Sequence, residues 1–237
     1  MTKIGLEICI DSLAGAEAAQ AGGADRVELC ASLSEGGLTA SQGMMQAVAR
    51  LDIPAFAMIR PRSGLFHFSA AEVDIMCADI INAREAGLAG VVLGAQGADG
   101  GLDPTVLLRL LDAAGPLPAT LHRVIDVVPD PLAALEQAID LGFERVLTSG
   151  AAPEAPEGRD MIRAMVARAD GRISVMPGCG LEPDNVAELV RETGVREIHA
   201  ACLSSVDGPR AFSDFDPPGG RFVTDADKVR AMVEALA

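Results

Sequence analysis

The chain has no tryptophan or tyrosine and only seven phenylalanines in 237 residues, so flat platforms that stack nucleobases or sugar rings are scarce. Basic residues are also few: 19 Lys and Arg against 34 Asp and Glu give a formal net charge of −15. A surface of that sign repels phosphate backbones and anionic headgroups, which argues against nucleic acid and acidic membranes as partners. No apolar run approaches the ~20 residues of a membrane-spanning helix. The opening residues, Met1-Thr2-Lys3-Ile4-Gly5-Leu6-Glu7, lack the basic flank and apolar stretch of a secretion signal. A cytoplasmic protein is expected. The five cysteines (Cys9, Cys30, Cys77, Cys179 and Cys202) are odd in number and form no C-x-x-C, so free thiols are expected rather than a disulfide framework.

Apolar residues make up 49% of the chain, enough to bury one large core. A unit recurs: a helical pattern, a glycine, three or four residues, then a short β-branched run. It appears from Ala21, Ala86, Leu141 and Thr193. The glycine suits the left-handed position that ends a helix. Strands are expected at 4–10, 25–30, 54–60, 89–93, 118–124, 144–149, 172–177 and 195–201. Helices are expected near 12–21, 40–51, 69–86, 104–114, 130–141, 157–169, 183–192 and 225–236. Start signals support them: Ser12, Ser41, Ser69 with Glu72, Asp103-Pro104, Asp130-Pro131 and Glu182-Pro183.

Eight strand–helix units predict an α/β fold, a single-domain (β/α)₈ barrel over residues 1–237. The rival, a doubly wound open sheet, is weakened because no G-x-G-x-x-G follows the first strand. Residues 204–224, rich in Gly, Pro and Asp, read as a long loop before the last helix.

Two near-copies, Leu6-Glu7-Ile8-Cys9 and Val27-Glu28-Leu29-Cys30, carry the strongest functional signal. Alternation along a strand puts each Glu on the same face as its Cys. The same reading places Glu7, Cys9, Glu28, Cys30, Arg60, His122, Glu197 and His199 inside the barrel, with Arg62, Arg123 and Asp126 just beyond strand ends. Ionic groups are costly to bury unless they pair or hold a ligand. The plainer reading is an ion-pair plug, Glu7 or Glu28 with Arg60. The functional reading is a pocket at the C-terminal strand ends, where sites of this fold lie. If the protein is an enzyme, Glu7, Glu28, Arg60, His122 and His199 are the catalytic candidates. Acid–base chemistry of the isomerase, lyase or hydrolase type on an anionic metabolite, phosphorylated or not, would suit them. Arg62, Arg123, Ser149, Gly178 and Gly180 form a candidate anion site, since glycines after strand seven let backbone N–H groups approach an anion. Cys77 is expected to pack within a helix, and His67 to lie exposed in a loop. Soft thiols near imidazoles would suit Cu(I) or Zn(II), although inward residues of adjacent strands fall in different layers, so Cys9 and Cys30 need not share an ion.

Several strings resemble the CutC copper-homeostasis family. They are Leu6–Ser12, Gly22–Cys30, Glu35-Gly-Gly-Leu-Thr39, Met58-Ile-Arg-Pro-Arg62, Thr120–Asp126, Arg145–Gly150, Met176-Pro-Gly178 and Glu197-Ile-His199. The resemblance spans residues 4 to 202. It implies a cytoplasmic TIM-type barrel forming a homo-oligomer (dimer or tetramer), and a proposed role in copper handling through Cu(I) at Cys9 and Cys30. The chain departs from the family pattern after Arg62, where Ser63-Gly64-Leu65-Phe66-His67 replaces a string with an acidic residue, and a following tyrosine is missing. It departs again at Cys179, a usual glycine, and at Ala200-Ala201-Cys202, a usual serine-rich string.

Overall fold

A short buried run followed by a helix repeats eight times along the chain, and the runs lie side by side as parallel strands. The computed structural model describes residues 3–206 and 220–237. The first half contains β1 (Gly5–Ile10), α1 (Leu13–Gly22), β2 (Arg26–Leu29), α2 (Gln42–Val48), β3 (Ala55–Met58), α3 (Ala70–Ala86), β4 (Gly90–Leu93) and α4 (Pro104–Ala114). The second contains β5 (Ala119–Leu121), α5 (Pro131–Leu141), β6 (Arg145–Thr148), α6 (Arg159–Ala169), β7 (Ser174–Pro177), α7 (Val186–Thr193) and β8 (Glu197–Ala200). A hairpin of β9 (Leu203–Val206) and β10 (Arg221–Thr224) precedes α8 (Ala226–Ala235). The hydrogen-bonded order runs β7-β6-β5-β4-β3-β2-β1-β8, and β7 packs beside β8 across the seam that nearly closes the barrel.

The local chemistry follows the sequence signals. Ser12, Ser41, Ser69, Asp103, Asp130 and Asp225 accept backbone N–H groups at helix starts, and Ser69 with Glu72 forms a reciprocal capping box. Each such cap stabilises by ~1 kcal/mol. Every residue of β3 and β4 is buried, as expected for parallel strands covered on both faces. Among the described residues no helix is long and apolar enough to cross a membrane.

Three expectations are corrected. The fifth strand stops at Leu121 rather than running to residue 124. The His122 side chain accepts the Val124 N–H (3.1 Å) and so caps a 3₁₀ turn over Arg123–Val127. Helix α7 begins at Val186, not at Pro183, because Asn185 holds the preceding turn: its Oδ1 accepts the Glu182 N–H and its Nδ2 donates to the Gly180 carbonyl. The expected loop at 204–224 begins and ends in paired antiparallel strands, while its middle, 207–219, lies outside the described residues.

Candidate functional site

The barrel interior has two levels. Toward the N-terminal strand ends, Arg26 donates through Nε to Glu7 Oε2 and through Nη1 to Glu197 Oε1 (3.0 Å). Arg145 donates to Glu197 Oε2 (2.6 Å) and to Thr120 Oγ1 (3.2 Å), and Ser174 also donates to Glu197. The Arg26 and Arg145 guanidinium groups lie 5.0 and 5.6 Å from the Phe56 ring centre, within cation–π reach. This lattice is an ion-pair plug, but not the expected pairing of Glu7 or Glu28 with Arg60: its cations are Arg26 and Arg145. Glu197 belongs to it and not to the mouth, because it starts β8. Arg60 takes no part in it.

The upper level begins where Glu7 leaves the lattice. Its Oε1 lies 2.8 Å from His199 Nδ1, the residue directly opposite it across the β1–β8 ladder. His199 Nε2 stands 3.8 Å from Glu28 Oε2, which also accepts the Cys30 thiol (3.5 Å). Burial alone would raise the Glu7 carboxyl, but the hydrogen bond to His199 and the charges of Arg26 and His199 outweigh it and hold it down at about 2. Burial works against protonation of His199, yet the charge of Glu28 and hydrogen bonding to Cys9 and Glu7 lift it well above the ordinary histidine range. Glu28 is pushed up, chiefly by burial. The result is a relay of charges, Arg26–Glu7–His199–Glu28, in which the last two groups face each other at ion-pair rather than hydrogen-bond distance.

Arg60 is 8% exposed, and its charge has no carboxylate within ion-pair distance among the described residues. Backbone carbonyls hold it instead: Nη1 donates to Glu35 (2.9 Å) and Gly37 (3.3 Å), Nη2 to Gly64 (3.0 Å). Gly36 and Gly37 both have left-handed backbone (φ +82° and +81°), which lets the loop wrap the guanidinium. The Phe66 ring lies 5.1 Å from the Arg60 guanidinium carbon and 4.7 Å, centre to centre, from His122. His122 accepts an N–H at Nδ1, so its ring is neutral with the proton on Nε2. Burial and then the Arg60 charge push its pKa down to about 3.

Among the described residues three buried side-chain atoms lack a hydrogen-bond partner: Glu28 Oε1, Arg60 Nε and His122 Nε2. All three residues line one cavity of about 270 Å³ at the C-terminal strand ends, with Cys9, Cys30 and His199. An adjoining hollow of about 370 Å³ is lined by Cys9, Cys179, Cys202 and Phe222. A larger one, about 520 Å³, opens near Glu144, Arg172 and Arg196 at the other end of the barrel, away from this chemistry.

The structure therefore gathers Glu28, Arg60, His122 and His199 around one space, with Glu7 beneath. It does not gather the candidate anion set. Arg123 lines the cavity, fixed by Asp126 (2.9 Å), Ser149 Oγ (2.7 Å) and Cys179 Sγ (2.9 Å). Arg62 is taken up by Glu72, the loop carbonyls of Ser63, Leu65 and His67, and the Phe68 ring. Ser149 turns to Asp126 and the Ala152 carbonyl. The Gly178 N–H is used by the Thr148 carbonyl, and Gly180 lines only the adjoining hollow. His67 is exposed, and Cys77 lies in α3 against the core.

Cys9 and Cys30 both line the cavity, but Cys9 pairs in register with Glu28, so Cys30 stands two residues further toward the mouth. Burial first, and then the charge of Glu28, push the Cys30 thiol well above its ordinary range. Among the described residues no cluster of three or more His, Cys, Asp or Glu is arranged to hold a metal ion. The Cys30 thiol would have to release its proton before it could hold a metal.

Sequence reasoning missed Arg26, Arg145 and Phe66. Strict alternation could have found Arg26, which shares parity with Glu28 and Cys30. Nothing in the sequence marks Phe66, which sits in a loop.

The model of the CutC family matches residues 4–204. A CutC family protein of Sinorhizobium medicae is 48% identical over 100% of this chain and 99% of its own length. The human protein named copper homeostasis protein cutC homolog is 43% identical over 96% of this chain and 87% of its own. The crystal structure of a putative copper homeostasis protein CutC from Streptococcus agalactiae superposes with a TM-score of 0.80 at 33% identity, covering 83% of this chain and 98% of the other. This chain belongs to the CutC family.

Proposed function

We propose that the cavity at the barrel mouth binds a small anionic metabolite and acts on it by acid–base chemistry. The observation that carries this is the unmatched charge of Arg60 beside two further unpartnered buried atoms. Below it, Arg26 and Arg145 answer Glu7 and Glu197, and His199 answers Glu28, so the interior balances without Arg60. A buried cation left over, with its Nε–H free, is offset when an anion enters. The volume sits just below the usual range for ligand pockets, ~300–1,000 Å³, which favours a molecule of few heavy atoms over a nucleotide.

The test is a thermal-shift screen of short carboxylic acids and sugar phosphates on the wild type and Arg60→Met. Ligand at a hundred times its Kd stabilises by ~2.7 kcal/mol, which for a chain of this length raises Tm by roughly 5–10 °C. The shift is expected to vanish in Arg60→Met, and a flat response across the screen in the wild type refutes the reading.

A second reading is Cu(I) held by Cys9 and Cys30, as the names of the relatives suggest. The observation in its favour is that both thiols face one cavity with His199 beside Cys9. Against it stand the offset register and the Glu28 carboxylate, since Cu(I) favours soft ligands. Chelator competition under reducing conditions separates the two. Tight Cu(I) binding lost in Cys9→Ser with Cys30→Ser supports the copper reading, and binding indifferent to both substitutions removes these ligands.

A further inference from the structure

Resting on the pocket reading above, we propose that the cavity abstracts a proton from the carbon next to a ketone. The substrate class is a small 2-oxo acid, Glu28 is the base, and His122 and Arg60 hold the developing enolate. Glu28, His122 and Arg60 line the same space, and each carries a buried atom without a partner (Oε1, Nε2–H and Nε–H), yet they are three different chemistries. A phosphate would fit them badly, because a carboxylate oxygen would face its negative charge and the imidazole would offer a single neutral donor. A ketone beside a carboxylate, with an adjacent C–H, uses all three.

Arg60 suits the substrate carboxylate. Its Nε–H gives a charge-assisted hydrogen bond, while the carbonyls of Glu35, Gly37 and Gly64 and the Phe66 ring fix the guanidinium in advance. His122 suits the ketone oxygen. The Val124 N–H occupies Nδ1, so the ring keeps its proton on Nε2 and acts as a fixed neutral donor as charge builds on the oxygen. A neutral histidine set against a backbone N–H plays the same electrophilic part in triosephosphate isomerase, an example from general enzymology. Glu28 is anchored by the Cys30 thiol at Oε2, leaving Oε1 free for the carbon-bound proton.

The step balances without an oxidant or second substrate. Glu28 Oε1 takes the proton, and the C–H electron pair becomes the carbon–carbon double bond. The carbonyl π pair moves onto oxygen, where His122 Nε2–H receives it. The reverse transfer restores the ketone. In heavy water the proton on Glu28 exchanges with solvent, so each return can deliver deuterium.

The experiment incubates the full chain in D₂O with pyruvate, 2-oxobutyrate and 2-oxoglutarate. It follows loss of the proton NMR signal next to the ketone, with thermal shift measured in parallel. At least one acid is expected to bind and to exchange about 100-fold or more above buffer. Glu28→Gln returns exchange to background while the thermal shift persists. His122→Asn keeps an acceptor for the Val124 N–H and lowers exchange by about 100-fold, the cost of losing one donor to an oxyanion. Binding without exchange in the wild type, or exchange indifferent to both variants, overturns the proposal and leaves the pocket reading standing. Absence of binding by all three acids also overturns it, and the wider anion screen then decides the pocket reading separately.

Discussion

His122 gives the sharpest quantitative handle on the site. In the unfolded chain its imidazole titrates near 6.5, whereas in the fold burial and the Arg60 charge hold it down at about 3. Between those values the unfolded chain binds a proton that the native protein does not, so stability falls as pH drops through 6.5 and keeps falling until about 3. At about pH 5 the penalty from this residue alone is ~2 kcal/mol relative to a residue that does not titrate. His122→Asn supplies the comparison, because Asn still accepts the Val124 N–H but carries no proton. Urea unfolding of both proteins near neutral pH and near pH 5 gives a double difference in which every other titrating group cancels. The wild type is expected to lose ~2 kcal/mol more than the variant on acidification. Long-range proton–nitrogen NMR should meanwhile show one neutral Nε2–H tautomer throughout. Parallel pH dependences, or an imidazolium signal at pH 5, would refute both the charge state and the fixed-donor role built on it.

Arg26→Met takes one charged partner from both Glu7 and Glu197, which keep His199 and Arg145, and should cost up to ~3–5 kcal/mol in urea unfolding, the scale for breaking a buried pair; a loss below 1 kcal/mol would show the lattice to be dispensable. A Cβ on Gly94 would stand 2.5 Å from His122 Cε1, so Gly94→Ala should displace the ring and abolish ligand-induced thermal shifts with far less effect on folding; retained shifts would contradict this placement. Cys179 holds φ of +77°, so Cys179→Gly should raise stability by about 1 kcal/mol, read as a higher urea midpoint. The Glu7 carboxyl, held at about 2, contributes stability that is present above its unfolded value near 4.5 and lost as pH falls toward 2. Glu7→Gln should therefore flatten the acid limb of the unfolding curve, and an unchanged limb would exclude the relay.

The barrel was legible because its signals are local. Helix caps, closing glycines and β-branched runs each report on a few neighbouring residues, and eight repetitions leave few topologies. The corrections arose where side chains outvoted backbone pattern: the His122 ring ends a strand, and the Asn185 amide delays a helix. The site was legible in its members but not in its pairing. Alternation put Glu7, Glu28, Arg60, His122 and His199 in one interior, and they are there. It could not show that Arg26 would take Glu7, because which cation reaches which carboxylate depends on strand stagger and side-chain length. The glycines after β7 looked like an anion cradle, yet the Gly178 N–H is spent on the Thr148 carbonyl. A glycine in sequence announces backbone freedom, not whether the backbone has a donor to spare.

The way each cation is held separates scaffold from site. Arg26 and Arg145 meet carboxylates, so their charge is quenched inside the protein and their geometry serves the fold. Arg60 meets carbonyls, which are neutral dipoles: they satisfy its N–H groups and fix its plane without cancelling its charge. A protein that needed only to bury this arginine would do better with a carboxylate partner, since desolvating an unpaired charge costs several kcal/mol. The Glu35-Gly36-Gly37 loop, with two left-handed residues in succession, presents its carbonyls there instead. On the proposed reading, an anion is what such an arrangement is built to receive. The Cys30 thiol does not supply it, because burial beside Glu28 keeps its proton in place. On the reading proposed above, the charge that completes the mouth of this barrel is that of a bound anion, held between Arg60, His122 and Glu28.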